Sequence, residues 1–235
     1  MKGDRFSFKR FTVVQSDCGM KVGTDGVLIG AWAQGAPRIL DVGTGTGLMA
    51  LMMAQRFAEA QVWGIDVDTA ACRQAAENFA ASPFSDRLHI VENSLQNFCR
   101  TWDGEAFGSI VCNPPFFVDS LVCKDERRTI ARHDKNLSFN DLFSCSKPLL
   151  KADGRLTVIV PSEVLSMITA SAAFAGFSLV ARCDIRTVAR KQPRRHLLSF
   201  SLNPTADLVF EDRLLQEADG SRSKWYSQLM ADFYL

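Results

Sequence analysis

The chain has 235 residues, 47% of them apolar and 23% charged, with a formal net charge of +1. That is the balance of an ordinary globular protein with one sizeable core, and it points to no polyanion partner by itself. No run reaches the roughly 18 uninterrupted apolar residues of a membrane helix, and Met1-Lys2-Gly3-Asp4-Arg5-Phe6 has no apolar signal core.

Seven cysteines without a Cys-x-x-Cys pair argue against a zinc site or a disulfide framework. They fit a reducing cytoplasm and a protein without metal. Cys72, Cys99 and Cys112 sit among apolar neighbours and read as buried filler.

In chain order, residues 24–34 read as a short helix after a glycine-rich turn. Short β-rich runs then alternate with helical spacing. The strands are Arg38–Val42, Gln61–Asp66, Leu88–Glu92, 109–112 and 155–160; the helices are 48–57, 69–81 and 139–150. Ser138 and Asp141 have the spacing of a helix N-terminal capping box. This alternation predicts an α/β fold, a mostly parallel sheet with helices on both faces. Runs 178–183 and 197–202 predict an antiparallel edge hairpin, and helical spacing returns at 224–234. One domain, 1–235, is expected, with 1–37 as a short N-terminal extension and 38–235 as the catalytic core. Trp32, Trp63 and Trp102 read as core residues.

Between the first of these strands and its helix lies Leu40-Asp41-Val42-Gly43-Thr44-Gly45-Thr46-Gly47. Glycines here let the chain turn tightly and let a ligand approach the backbone. Free amides at the helix start favour an anionic group. The spacing Gly43-x-Gly45-x-Gly47 differs from the dinucleotide pattern G-x-G-x-x-G. With Asp41 before it, the run resembles motif I of the Rossmann-like, seven-stranded methyltransferases. That resemblance implies S-adenosylmethionine as cofactor, with Asp41, Gly43, Gly45 and Gly47 at its site. Asp66 ends the next strand about 20 residues on, where a carboxylate can accept hydrogen bonds from both ribose hydroxyls. Asp68 competes for that role but suits the cap of the following helix better. After the third strand the family places an Asp near the adenine amine; Asn93 and Ser94 stand there in this chain.

The fourth strand leads into Ile110-Val111-Cys112-Asn113-Pro114-Pro115-Phe116-Phe117. Two prolines end the strand and stiffen the backbone beyond it. The run resembles motif IV, Asn-Pro-Pro-aromatic, of methyltransferases acting on amines attached to planar groups. An adenine amine is already neutral, so no strong base is required; its lone pair, however, is delocalised into the ring. The resemblance implies that the Asn113 side-chain oxygen and the Pro114 carbonyl accept the two N–H bonds. They would thereby favour a pyramidal nitrogen as positive charge develops. Phe116 would stack on the ring, a contact worth roughly 1–3 kcal/mol, with Pro115 beside it; Phe117 either walls the same pocket or packs in the core. A stacked base must swing out to enter it.

These motifs leave three targets open: adenine in nucleic acid, guanine N2 in ribosomal RNA, and a protein glutamine. Phe8-Lys9-Arg10-Phe11-Thr12-Val13 and the run from Lys21 to Ala33 narrow the choice, together with Ser82-Pro83-Phe84-Ser85-Asp86-Arg87, Ala131-Arg132 and Asp232-Phe233-Tyr234-Leu235. They resemble the bacterial valine-tRNA adenine-37 N6-methyltransferases from about residue 6 to the end. The resemblance implies methylation of the adenine beside the anticodon of a valine tRNA. A glutamine enzyme usually adds an N-terminal helical domain, and about 37 residues before the first strand of the core leave it little room. Family members often carry tyrosine where Phe116 stands, so the ring is kept and a hydroxyl lost.

Lys21 and Thr24 are candidates to close over the methionine end of the cofactor; alternatively Thr24 or Asp25 caps the helix after it. Between Arg182 and His196 stand six basic residues, Arg182, Arg186, Arg190, Lys191, Arg194 and Arg195, against the single acid Asp184. Arg127, Arg128, Arg132 and His133 form a second cluster, with His133 read as a surface residue. Arg128, Arg132, Lys191, Arg194 and Arg195 are the expected contacts to the anticodon loop. The oligomeric state is left open.

Overall fold

The computed structural model describes residues 4–16, 21–114, 137–203 and 207–234. Strands β1 (Arg5–Ser7) and β2 (Thr12–Val14) form a small antiparallel hairpin ahead of helix α1 (Thr24–Trp32). Then come β3 (Arg38–Val42), α2 (Leu48–Arg56), β4 (Gln61–Asp66), α3 (Thr69–Ala80), β5 (Leu88–Glu92), α4 (Leu95–Thr101) and β6 (Phe107–Cys112). Beyond residue 136 come α5 (Phe139–Ser146), β7 (Leu150–Pro161), α6 (Leu165–Phe174), β8 (Ser178–Arg186), β9 (Arg195–Ser201), β10 (Val209–Leu214) and α7 (Lys224–Leu229).

The main sheet runs in the order β10-β8-β9-β7-β6-β3-β4-β5. Strand β9 pairs antiparallel with β7 and β8, and the other pairings are parallel. The expected mostly parallel sheet and its antiparallel hairpin are both present. An eighth strand corrects two details: β10 pairs with β8, so the sheet has eight strands and the hairpin lies one strand in from the edge. β10 has no fully buried residue, so it lacks the apolar alternation that marks a half-buried strand.

Helices cover both faces, and successive strand residues serve opposite cores. Ile39 packs with Leu28, Met52 and Met53 on one side, while its neighbour Leu40 packs with Phe107, Leu156 and Phe200 on the other. The tryptophans are half-buried at the margins of these clusters rather than inside them. Arg38 lies 4.5 Å from the Trp63 ring centroid and 5.8 Å from that of Trp102. Cys72 and Cys112 are buried and Cys99 is half-buried, all with free thiols. Burial pushes the Cys72 thiol up to about 11, so it is inert filler. Two helix starts are as expected: Asp68 accepts from Ala70 N at 2.9 Å, and Ser138 Oγ accepts from Asp141 N at 3.0 Å.

Strand order reverses between β3 and β6, the first strand of the parallel set and the one across from it. In open α/β sheets the crevice at such a reversal, beyond the carboxyl ends of the strands, is where ligands bind. Val42 of β3 is level with Cys112 of β6. The glycine run and Asn113 therefore leave the sheet side by side.

Candidate functional site

The turn after β3 is built by its glycines. Gly43, Gly45 and Gly47 have φ of 68°, 55° and 82°, conformations that side chains other than glycine rarely adopt. A Cβ at Gly43 or Gly45 would meet nothing within 4 Å, so both face open space. At Gly47 a Cβ would lie 2.4 Å from the Phe79 ring. Gly47 thus packs against the core and starts α2, and its part in the site is indirect.

Neighbouring elements hold the turn. Gly43 N and Thr44 N donate to the Ile65 carbonyl at 2.9 and 3.0 Å. Gly64 leaves room for Thr44, whose Oγ1 would stand 2.7 Å from a Cβ there. Asn78, 2% exposed on α3, donates to the carbonyls of Thr46 and Val14 at 2.8 and 2.9 Å and accepts from Val14 N at 2.9 Å. It ties the N-terminal hairpin to the glycine turn. Sequence reasoning missed Asn78; its signal was an amide, like Gln74, on the otherwise apolar buried face of α3, between Ala75 and Phe79.

Asp41 requires a correction. It was expected to touch the ligand, yet it is wholly buried beneath the turn. Its Oδ2 accepts from Thr44 Oγ1 at 2.7 Å and from Ala50 N at 3.0 Å. Burial pushes its carboxyl up to about 7, against the lowering effect of those two bonds. Asp41 braces the loop from below, because its strand position directs the side chain under the turn.

Asp66 is half-buried at the end of β4. Its Oδ2 accepts from Gly45 N at 2.9 Å and its Oδ1 from Asp68 N at 3.0 Å. Each oxygen has a further lone pair. Ser94 caps α4, accepting from Asn97 N at 3.1 Å, and Asn93 Oδ1 accepts from Asn97 Nδ2 at 2.8 Å. Asn93 N donates to the Asp66 carbonyl at 2.9 Å. From β5 to β6 the order along the sheet edge is Asn93, Asp66, the glycine turn, Asn113. Three strand spacings of about 4.8 Å each give roughly 14 Å, which suits an elongated ligand.

A cleft of about 790 Å³ opens over the turn. Gly43, Thr44, Gly45 and Thr46 line one part of it, Asn113 another, and Lys21, Thr24 and Asp25 of the N-terminal segment a third. Arg194 and Arg195 close the remaining side. Asn113 is half-buried and Pro114 is buried. Asp66, Asn93, Ser94 and Gly47 are not among the lining residues, and neither is Lys191, which is exposed. Pro115, Phe116, Phe117, Arg127, Arg128, Arg132 and His133 lie outside the described residues.

The alternative cap for α1 is corrected as well. Its N-cap is Gly23, without a side-chain cap bond. Asp25 instead accepts from Arg195 Nε at 2.7 Å. The basic cluster is also less lopsided in space than in sequence. Arg182 pairs with Asp184, Arg186 with Asp212, and Arg195 with Asp25, while Arg190, Lys191 and Arg194 stay exposed. Among the described residues no group of three or more His, Cys, Asp or Glu could hold a metal ion, and no helix is long and apolar enough to cross a membrane.

Chemically, the cleft offers a floor of bare backbone, basic side chains on its wall, and the side-chain amide of Asn113. Residues 13–184 match the family described as methyltransferase small domain. A tRNA1(Val) (adenine(37)-N6)-methyltransferase of Bacteroides thetaiotaomicron is 41% identical over 98% of this chain and 97% of its own. The protein of the same description from Yersinia pseudotuberculosis is 37% identical over 100% of this chain and 94% of its own. Among solved structures, Atu636 of Agrobacterium tumefaciens, described as a predicted O-methyltransferase, has a TM-score of 0.72 at 18% identity, covering 89% of this chain and 96% of its own. The glycopeptide N-methyltransferase MtfA, solved with S-adenosyl-L-methionine, has a TM-score of 0.56 at 11% identity, covering 76% of this chain and 95% of its own. At such identities the two structures bear on the fold alone.

Proposed function

The chain belongs to the methyltransferase small domain family, and from that premise we propose that it transfers a methyl group from S-adenosylmethionine to N6 of adenine 37 in a valine tRNA. The identity of about 40% over the full length to enzymes described by that reaction supports the substrate. The observation that carries the chemistry is the meeting of Gly43, Gly45 and Asn113 in one cleft.

The cleft fits the cofactor on its own geometry. Cβ atoms at Gly43 and Gly45 would project into the space a ligand needs, and none of the described residues comes within 4 Å of them. When bound, S-adenosylmethionine supplies a methyl group made electrophilic by its sulfonium. Asp66 accepts from the ribose hydroxyls with the lone pairs left by Gly45 and Asp68. Asn93 and Ser94 flank the adenine end. Lys21 and Thr24, which line the cleft, would hold the carboxylate of the methionine end; Asp25 and Arg195, paired with each other, line the same cleft.

On the substrate side, Asn113 Oδ1 and the Pro114 carbonyl accept from the exocyclic amine and stabilise the positive charge it gains. Phe116, Pro115 and Phe117, which lie outside the described residues, are assigned to the adenine pocket by the motif alone, with Phe116 as the stacking ring. No general base is assigned, because the amine is nucleophilic once its lone pair is localised; the N–H proton, made acidic by the positive charge on the methylated nitrogen, is lost to solvent water. Arg194 on the cleft wall and Lys191 beyond it meet RNA phosphates, as do Arg128 and Arg132. Residues 1–37 act as a cover on a single catalytic domain, and a tRNA substrate implies work in the cytoplasm.

Digestion of RNA methylated by the enzyme tests the proposal. N6-methyladenosine is the expected nucleoside. N2-methylguanosine, or label found in protein instead of RNA, would overturn it in favour of the guanine or glutamine chemistry.

A further inference from the structure

Next to the cleft, a chain of polar side chains is not used by the chemistry above. His196 on β9 is 3% exposed. Its Nδ1 lies 2.6 Å from Asp184 Oδ1 on β8, and its Nε2 lies 2.9 Å from Oγ of Ser162, just past β7. Arg182 donates to both Asp184 oxygens, at 2.6 and 2.8 Å. Ser162 Oγ gives its one hydrogen to the Pro193 carbonyl at 2.7 Å.

Asp184 is gripped by the Arg182 guanidinium and lies against His196. Burial raises the Asp184 carboxyl, but the bonds from Arg182 and His196 outweigh that and hold it below its usual range. The likeness to a Ser-His-Asp nucleophile ends at Ser162: such a serine gives its proton to a bare histidine nitrogen, whereas Ser162 gives its hydrogen to the Pro193 carbonyl. The network is a brace, and it ends on the backbone of Pro193.

Pro193 closes the loop 187–194 between β8 and β9. Arg194 and Arg195 come directly after it, and both line the cleft. The loop backbone is held at a few points: Lys191 N donates to the Val188 carbonyl and Arg194 N to the Ile185 carbonyl, each at 3.0 Å, while the Thr187 carbonyl accepts from Gln216 N at 2.9 Å and the Ala189 carbonyl from Arg186 Nη1 at 3.4 Å. Arg190 and Lys191 at its tip are exposed. The tether at Pro193 joins these few anchors, directly before Arg194.

We propose that Ser162 and His196 are positioning residues that hold the 187–194 loop against the cleft, presenting Arg190, Lys191 and Arg194 as a pre-set surface for RNA phosphates. The nature of the partner rests on the function proposed above; the anchoring of the loop does not. A pre-ordered loop spares the ordering cost at the moment of binding.

The full-length Ser162→Ala and Ser162→Thr variants test this, since Ser162 is exposed and its exchange leaves the core untouched. Limited trypsin cleavage of the ligand-free protein, read by mass spectrometry, reports cuts after Arg190 and Lys191. Loss of one net hydrogen bond predicts cutting about fivefold to tenfold faster in Ser162→Ala, and near the wild-type rate in Ser162→Thr, which keeps the hydroxyl. The KM for valine tRNA should rise by a similar factor in Ser162→Ala, with kcat and melting temperature close to wild type. Equal cutting of wild type and Ser162→Ala overturns the proposal, and so does a Ser162→Thr protein cut as fast as Ser162→Ala. Faster cutting of Ser162→Ala by a protein that methylates no valine tRNA upholds the anchoring and defeats the RNA reading alone.

Discussion

Asn113→Ala lowers turnover by about 10²- to 10³-fold, while affinity for S-adenosylmethionine changes by less than about twofold. The reason lies in when its contact matters. An amide oxygen facing the reacting amine accepts more strongly as the nitrogen loses planarity and gains positive charge, so its contribution is larger in the transition state than in the ground state. Asn113 is half-buried at the mouth of the cleft and comes directly after β6. The cofactor cradle comes after β3 and is held by Ile65, Asp66 and Asn78. Truncating Asn113 leaves all of those bonds in place. Single-turnover kinetics with calorimetry of cofactor binding separates the two effects. A variant with wild-type turnover would remove Asn113 from the chemistry.

The second large effect falls on the cradle. Gly45→Val weakens cofactor binding by about 100-fold, equivalent to about 3 kcal/mol. The cause is steric: the new side chain would stand in the open space of the cleft, where the proposed ligand lies. Gly45 also has φ of 55°, where a β-branched residue is strained by about 1–3 kcal/mol, a cost in stability and not in affinity. Because none of the described residues lies within 4 Å of that Cβ, packing among them is not disturbed and the variant folds with a melting temperature a few degrees lower. Equilibrium binding beside a thermal melt checks both parts. Unchanged affinity would mean that the ligand does not cross the glycine turn.

Those two residues were legible because each sits where a buried strand ends. Strands β3, β4 and β5 begin and end where the sequence indicates, since parallel strands covered on both faces read as compact apolar runs bounded by turn residues. Strand β7 reaches further back than the expected 155–160, through Lys151, Ala152, Asp153 and Gly154, a charged and small-residue stretch without the apolar alternation of a strand. The strands of β1 and β2 have three residues each, too short for periodicity to register. That hairpin is secured instead by the Phe8 and Phe11 rings stacked at 4.7 Å and by Lys9 N bonding to the Phe233 carbonyl at 2.8 Å.

In the site, residue types were readable and side-chain directions were not. A motif that names Asp41 is the same string whether the carboxylate faces the ligand or the core, and here it faces the core. Asp25 and Arg195 are 170 residues apart in sequence, so no spacing rule could have joined them. Nor could charge counting foresee that Asp25, Asp184 and Asp212 would neutralise half of the basic cluster.

The proposed function requires one cleft to serve both a methyl donor lying on bare backbone and an adenine held by an amide. Transfer of isotopically labelled methyl to unmodified valine tRNA, with the modified nucleotide mapped, tests that most directly. Label is expected on adenine 37 alone, and none when guanine replaces it. Label at another position, or undiminished label on the guanine-substituted tRNA, would contradict the shared cleft.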